Sequence, residues 1–144
     1  MEKRKLIIAI SLLLISSLFS NAQIITISKI ANKKWIYNTN NGSLEILDFS
    51  KDSVYVSSYY SYCDETIKYS KPYYLSNNKN EPFDMKKVGT STSGKYLFLW
   101  NIKMKEKEYC EITTLTKDTL VLFFEAQPHY IGAADISFTY KRVR

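Results

Sequence analysis

The chain has 144 residues and a formal net charge of +6, and 15% of its residues are aromatic. This length suits one domain with its own core, and two domains would be crowded. Its basic residues are scattered and alternate with acidic ones, whereas nucleic-acid binding needs a contiguous basic face. Length and charge therefore argue against a two-domain chain and against a nucleic-acid partner.

The first 22 residues have the pattern of a signal peptide. A basic head, EKRK, precedes an apolar run over residues 6–19, and the tripeptide SNA follows, with small residues where signal peptidase accepts them. The apolar run is too short to span a bilayer comfortably, and no second apolar stretch follows it, which disfavours a membrane anchor. We predict cleavage before Gln23, export to the periplasm or the cell exterior, and a mature domain over residues 23–144 without a transmembrane segment.

The chain has two cysteines, Cys63 and Cys110, and one histidine, His129. A disulfide is compatible with an oxidising compartment, and two separately buried thiols are the alternative; sequence alone leaves both open. His129 lies in AQPHYIGAAD, which has the composition of a loop. One histidine and two distant cysteines make a poor ligand set, so we predict no metal and no cofactor.

From residue 33 onward, apolar and polar residues alternate over short runs separated by polar turns, which is typical of β-strands. The runs are KKWIYN (33–38), SLEILDF (43–49), SVYVSSYYSY (53–62), TIKYSKPYYL (66–75), PFDMKKV (82–88), KYLFLWNIK (95–103), KEYCEITTL (107–115), DTLVLFFE (118–125) and ISFTYKRV (136–143). Without crossover helices they predict antiparallel neighbours, in a sandwich or a barrel. We favour an all-β, single up-and-down barrel of about 8 to 9 strands, because closure removes exposed edges. Only ITISKIAN, before the first run, leaves room for a short helical turn.

The order of these segments resembles the lipocalin-like proteins exported by Gram-negative bacteria. KKWIY stands at the first strand, EITTLTKDTLVL near the C-terminus and FTYKRV at the end. In lipocalins, the tryptophan of a Gly-x-Trp motif on the first strand is covered by an arginine from the last strand at the closed end. Trp35 and Arg142 stand in those two places, and Lys33 stands where the motif has glycine. The resemblance implies a structural cation–π contact between Trp35 and Arg142.

Tyrosines occur on both faces of the strands in SVYVSSYYSYCDETIKYSKPYYL, residues 53–75. Strand propensity and an amphipathic ring explain part of this enrichment without any ligand. The functional interpretation, which the lipocalin resemblance implies, is an aromatic cavity open at one end and lined by Tyr60, Tyr62, Tyr96, Phe98 and Trp100. A register error of one residue would instead place inside the barrel Tyr55, Tyr59, Leu97 and Leu99.

Two functions are compatible with this pattern. A hollow barrel would bind a small apolar or aromatic molecule. A barrel filled by its own side chains would leave function to its outer surface, as a protein-interaction, inhibitor or immunity module using Tyr55, Tyr59, Tyr73 and Tyr74. No Gly-x-Ser-x-Gly motif occurs, and no histidine pairs with cysteine or serine, so we predict that the protein is not an enzyme. Small-molecule binding is the favoured hypothesis.

Overall fold

A computed structural model describes residues 24–126 and 134–144 of the chain. The predicted signal peptide over residues 1–22, the predicted mature N-terminus at Gln23, and His129 lie outside the described residues. Within the two described ranges, no helix is long and apolar enough to cross a membrane. The same ranges contain no group of three or more His, Cys, Asp or Glu side chains placed to hold a metal ion.

Eight antiparallel strands close into one barrel, which confirms the predicted fold class. A helical turn, α1 (Ile27–Ile30), precedes the first strand, also as predicted. The strands are β1 (Lys33–Asn38), β2 (Leu44–Phe49), β3 (Ser53–Tyr60), β4 (Glu65–Ser76), β5 (Tyr96–Asn101), β6 (Glu106–Leu115), β7 (Thr119–Phe124) and β8 (Ile136–Arg142). Each strand pairs with the next, and β8 pairs with β1 to close the barrel.

The predicted strand over residues 82–88 is wrong, because this segment forms a loop with a short 3-10 helix, Met85–Lys87. The Asp84 carboxylate accepts a hydrogen bond from the backbone N–H of Lys86 at 3.0 Å. The Tyr74 hydroxyl donates to the Pro82 carbonyl at 3.2 Å and accepts from the Asp84 N–H at 3.1 Å. These local bonds satisfy backbone groups that a strand would pair with a neighbour, so the run adds no ninth strand.

Buried side chains form two clusters, one on each side of the barrel wall. The larger cluster lies inside the barrel, and α1 adds Ile27 and Ile30 to it at the closed end. The smaller cluster lies outside β5, beneath the β4–β5 loop (residues 77–95), and contains Tyr74, Tyr96 and Phe98 with Phe83, Val88 and Tyr109 packed against them. The strand β5 is therefore covered on both faces.

Backbone hydrogen bonds fix α1 and its flanking residues across the closed end. The Ile27 N–H donates to the Thr92 carbonyl at 3.2 Å, and the Gly94 N–H donates to the Ile25 carbonyl at 2.9 Å. On the other side of α1, the Asn32 N–H donates to the carbonyl of Phe49, the last residue of β2, at 2.7 Å. These bonds hold α1 in place, and its buried isoleucines close the barrel at this end.

Trp35 and Arg142 lie opposite each other in the β1–β8 ladder. The Trp35 indole is fully buried in the larger cluster, and its N–H has no hydrogen-bond partner among the described residues. The cation–π contacts in the described part of the chain are all made by lysines. The contact that the resemblance implies between Arg142 and the indole is therefore absent there. Apolar side chains enclose the indole instead.

Candidate functional site

The barrel interior contains a cavity of about 400 Å³. It opens toward the end that carries the β1–β2 and β3–β4 turns, since Thr39 and Ser43 of the first turn and Tyr60 at the end of β3 line it. The apolar part of its wall is formed by Leu44, Leu47, Phe49, Val54, Val56, Leu97, Leu99, Leu122, Phe124 and Phe138. The interior is thus filled at the closed end and hollow toward the open end, with a volume in the range of small-molecule sites.

Strand register explains how the cavity changes from apolar to polar along its depth. Phe49 of β2 lies opposite Val54 of β3 near the closed end, and Glu45 lies opposite Ser58 nearer the open end. Residues that face each other in an antiparallel pair share one side of the sheet, so each pair contributes two neighbouring side chains to the wall. The cavity therefore has a floor that is apolar around Phe49 and Val54, apart from Lys71 opposite Val54 on β4, and an upper wall that is partly polar.

One carboxylate, that of Glu45, forms part of the upper wall. Its Oε1 accepts a hydrogen bond from the Tyr140 hydroxyl at 2.5 Å, and its Oε2 accepts one from the Ser58 hydroxyl at 3.1 Å. Burial raises the pKa of Tyr140 and the Glu45 carboxylate raises it further, so this hydroxyl keeps its proton and remains a donor. Sequence reasoning missed Glu45, although the alternation in LEILDF puts it on the same face as Leu47 and Phe49.

An ion pair forms a second polar group in the cavity wall. The Lys71 ammonium of β4 contacts the Glu108 carboxylate of β6, and the side-chain amide of Asn101 donates to the same carboxylate at 2.6 Å. The ladder between β4 and β5 begins only at Tyr73, so residues 65–72 of β4 pair with β3 alone. Lys71 and Glu108 therefore connect the barrel wall where β4 and β5 do not pair.

The five aromatic residues predicted to contact a ligand do not come together. Tyr60 lines the open end of the cavity, whereas Tyr62 lies in the following turn and is 80% exposed, with its ring centroid 5.8 Å from that of Tyr60. Tyr96, Phe98 and Trp100 lie on the outer face of β5. Their predicted inner placement is therefore wrong by one residue, and β5 has the alternative register, with Leu97 and Leu99 inside. On β3 the first predicted register holds, because Tyr60 lines the cavity and Tyr55 is exposed on the outer face.

The β4–β5 loop accounts for the aromatic outer face of β5. Phe83 of this loop packs on Trp100, with ring centroids 5.3 Å apart. The Lys107 ammonium lies 4.6 Å from the Phe98 ring centroid and donates to the carbonyls of Lys79 at 2.8 Å and Glu81 at 2.6 Å. The aromatic side chains on the outer face of β5 thus pack against the β4–β5 loop, and the barrel wall separates them from the cavity.

The four tyrosines predicted to form an outer binding surface are also dispersed. Tyr55 is exposed, and Tyr59 lies at the open end of the cavity, where its hydroxyl donates to the Asp64 carboxylate at 3.1 Å. Tyr73 and Tyr74 are fully buried, Tyr73 in the barrel core and Tyr74 beneath the β4–β5 loop. The predicted patch is wrong for these two residues, because both faces of β4 are covered at its C-terminal end.

Cys63 and Cys110 are both free, so the disulfide alternative does not hold in this structure. Cys63 is exposed in the turn after β3, at the open end. Cys110 is buried inside the barrel on β6, and burial raises the pKa of its thiol. The alternative of two separately buried thiols holds for Cys110 but not for Cys63.

The fold and the cavity define an eight-stranded antiparallel β-barrel with an interior that opens at one end, which is compatible with a lipocalin-like binding protein. No protein-family model, curated protein or solved structure gives a significant match to this chain. Function is therefore inferred from the residues of the cavity themselves.

Proposed function

We propose that the protein is an exported, non-catalytic, lipocalin-like binding protein that holds one small, largely apolar or aromatic molecule inside the barrel. The observation that carries this proposal is the cavity of about 400 Å³ with an apolar floor and one open end. Transfer of apolar ligand surface from water into such a site contributes roughly 25 cal/mol per Å². Burial of the apolar surface of a small molecule in this cavity therefore supplies free energy for its binding.

The closed end of the barrel supports the lipocalin-like part of the proposal. The helical turn α1 plugs this end, Trp35 of β1 is fully buried beside it, and Arg142 of β8 lies opposite Trp35 in the ladder, although it makes no cation–π contact with the indole. The protein-interaction alternative has less support, because Tyr73 and Tyr74 are withdrawn from the surface that it requires. Ligand binding in the interior is thus the better-supported function.

Filling the cavity with a larger side chain should block binding. N-phenyl-1-naphthylamine, a neutral apolar dye that fluoresces when it leaves water, should bind the wild-type protein saturably. In Leu99→Trp, where the larger ring projects into the cavity, we expect affinity to fall at least about tenfold, equivalent to about 1.4 kcal/mol. Fluorescence titration measures both proteins.

The matched control is Tyr55→Trp, which adds an indole to the same barrel on its exposed outer face. This variant should bind the dye as the wild type does. Absence of saturable binding to the wild type, or equal affinity in Leu99→Trp and the wild type, would contradict the proposal. Thermal unfolding of each variant verifies that the barrel is intact.

A further inference from the structure

The charged groups that face the cavity do not balance. Among the described residues, three charged side chains line it, and two of them, Lys71 and Glu108, pair with each other. The third, Glu45, accepts hydrogen bonds from two neutral hydroxyls and belongs to no ion pair within residues 24–126 and 134–144. The cavity wall thus carries one uncompensated negative charge, although the chain as a whole has a net charge of +6.

The Glu45 carboxylate retains capacity to bind a ligand. A carboxylate offers about four lone-pair sites, and the hydroxyls of Ser58 and Tyr140 use one on each oxygen. A carboxylate removed from water gains most from a cationic partner that also donates hydrogen bonds. A ligand carboxylate would be repelled by Glu45, while Lys71 in the cavity wall is already engaged by Glu108.

Aromatic rings surround this carboxylate. Tyr37 lies directly opposite Glu45 in the β1–β2 ladder, and its ring centroid is 5.7 Å from that of Tyr140 and 5.2 Å from that of Phe138. Tyr69 lines the same cavity and stays neutral, because burial together with the Glu45 carboxylate raises its pKa to about 12, but its ring already has a cationic partner, the Lys71 ammonium 5.3 Å from the ring centroid. Faces of neutral aromatic rings attract cations, and they also pack against flat apolar groups.

We propose that the cavity selects a cationic amphiphile, meaning a small molecule with an apolar or aromatic body and a protonated amine or quaternary ammonium group that contacts Glu45. The apolar body occupies the floor between Phe49 and Leu97, and the cation lies beside the carboxylate in the upper wall. This inference rests on the proposed function, because it names the class of ligand for the same cavity.

Three probes with one indole body separate the effect of charge from that of shape. Tryptamine, 3-ethylindole and indole-3-propionate carry a cation, no charge and an anion at the end of a short chain. Isothermal titration of the purified protein with each should give an affinity for tryptamine at least about tenfold higher than for the other two. In Glu45→Gln, whose amide oxygen can accept from the Tyr140 hydroxyl while its NH₂ group donates to the Ser58 hydroxyl, this preference should disappear while 3-ethylindole binds as before.

The matched control is Glu106→Gln, which removes the same charge from an exposed residue at the start of β6 that does not line the cavity. It should keep the preference for tryptamine. Unchanged selectivity in Glu45→Gln would overturn the inference. The inference would also be overturned if tryptamine bound the wild-type protein no more tightly than 3-ethylindole. This second comparison does not depend on the folding of any variant. Tightest binding of indole-3-propionate, lost in Lys71→Met, would assign the charged contact to Lys71 instead.

Failure of this inference is distinguishable from failure of the proposed function. The neutral dye N-phenyl-1-naphthylamine reports on the cavity without regard to charge. Saturable dye binding without a preference for tryptamine would reject the cationic ligand and keep the binding site. Absence of dye binding would reject both.

Discussion

Replacement of Gly94 by alanine is expected to lower the free energy of unfolding by at least about 3 kcal/mol, because it forces the ends of two strands apart. Gly94 has φ +155°, and a Cβ at this position would lie 2.1 Å from the carbonyl carbon and 2.2 Å from the carbonyl oxygen of Ser76. Ser76 is the last residue of β4 and pairs with Tyr96 of β5. The obstructing atoms are backbone, so no side chain can rotate away to relieve the clash.

The control for this prediction is Gly42→Ala, which isolates the cost of a positive φ. Gly42 has φ +84°, but the nearest atom to an added Cβ, the Ser61 Cβ, is 3.7 Å away, an ordinary contact. This variant should lose only about 1 to 2 kcal/mol. Urea unfolding monitored by tryptophan fluorescence compares the two, provided that the m-values agree. An equal loss of unfolding free energy in both variants would show that the backbone of Ser76 does not approach Gly94 this closely.

Truncation of Trp35 to alanine should cost about 3 to 5 kcal/mol of unfolding free energy, the range for removal of a large buried aromatic side chain. Trp35 is fully buried in the cluster that joins the barrel to α1. Its removal would leave a cavity at the closed end and loosen the contacts of Ile27 and Ile30. Denaturant unfolding at equilibrium measures the loss.

Two further substitutions separate packing from the polar interactions of this residue. Trp35→Phe should cost only about 1 to 2 kcal/mol, because the indole N–H that it removes has no hydrogen-bond partner among the described residues. Trp100→Ala on the outer face of β5, where the side chain is only partly buried, should also cost less than Trp35→Ala. If Trp35→Phe were as damaging as Trp35→Ala, the indole N–H would have an essential partner, contrary to the structure.

Local alternation in the sequence predicted most of the strands correctly. The strand β1 has the bounds of the run KKWIYN, and α1 lies within ITISKIAN. These segments are short and bounded by turn residues, so the pattern that defines them is contained in neighbouring residues. The segment over residues 82–88 alternates too, but hydrogen bonds around Asp84 and Tyr74 give it another local structure. Alternation alone could not reveal that competition.

The inner face of β5 could not be predicted from its own residues. Both faces of KYLFLWNIK are apolar, since one faces the barrel core and the other lies under the β4–β5 loop. The prediction placed the aromatic side chains of this strand inside the barrel. This choice exchanged the inner and outer faces of β5, as any register error of one residue does. The outer face of β5 is covered by Phe83, which lies in the preceding loop, and by Lys107, which lies on β6. Neither contact can be read from the residues of β5 alone.

The polar part of the candidate site was predictable in part. Glu45 alternates with Leu47 and Phe49, and a carboxylate on an otherwise apolar strand face indicates a specific environment. Its hydroxyl partner Tyr140 is 95 residues away in sequence, on β8, so the pairing depends on closure of the barrel. The contact between Lys71 and Glu108 likewise depends on where the β4–β5 ladder begins.

The most direct test of binding inside the barrel is a methyl NMR titration of the purified protein with N-phenyl-1-naphthylamine. Saturable shifts are expected for the methyl groups of Leu97, Leu99 and Leu122, which line the cavity. The methyl groups of Ile36 and Ile46, which lie opposite each other in the β1–β2 ladder on the outer face of the barrel, should stay unchanged. Shifts confined to Ile36 and Ile46, or no saturable shift at the three leucines, would contradict a ligand-binding interior.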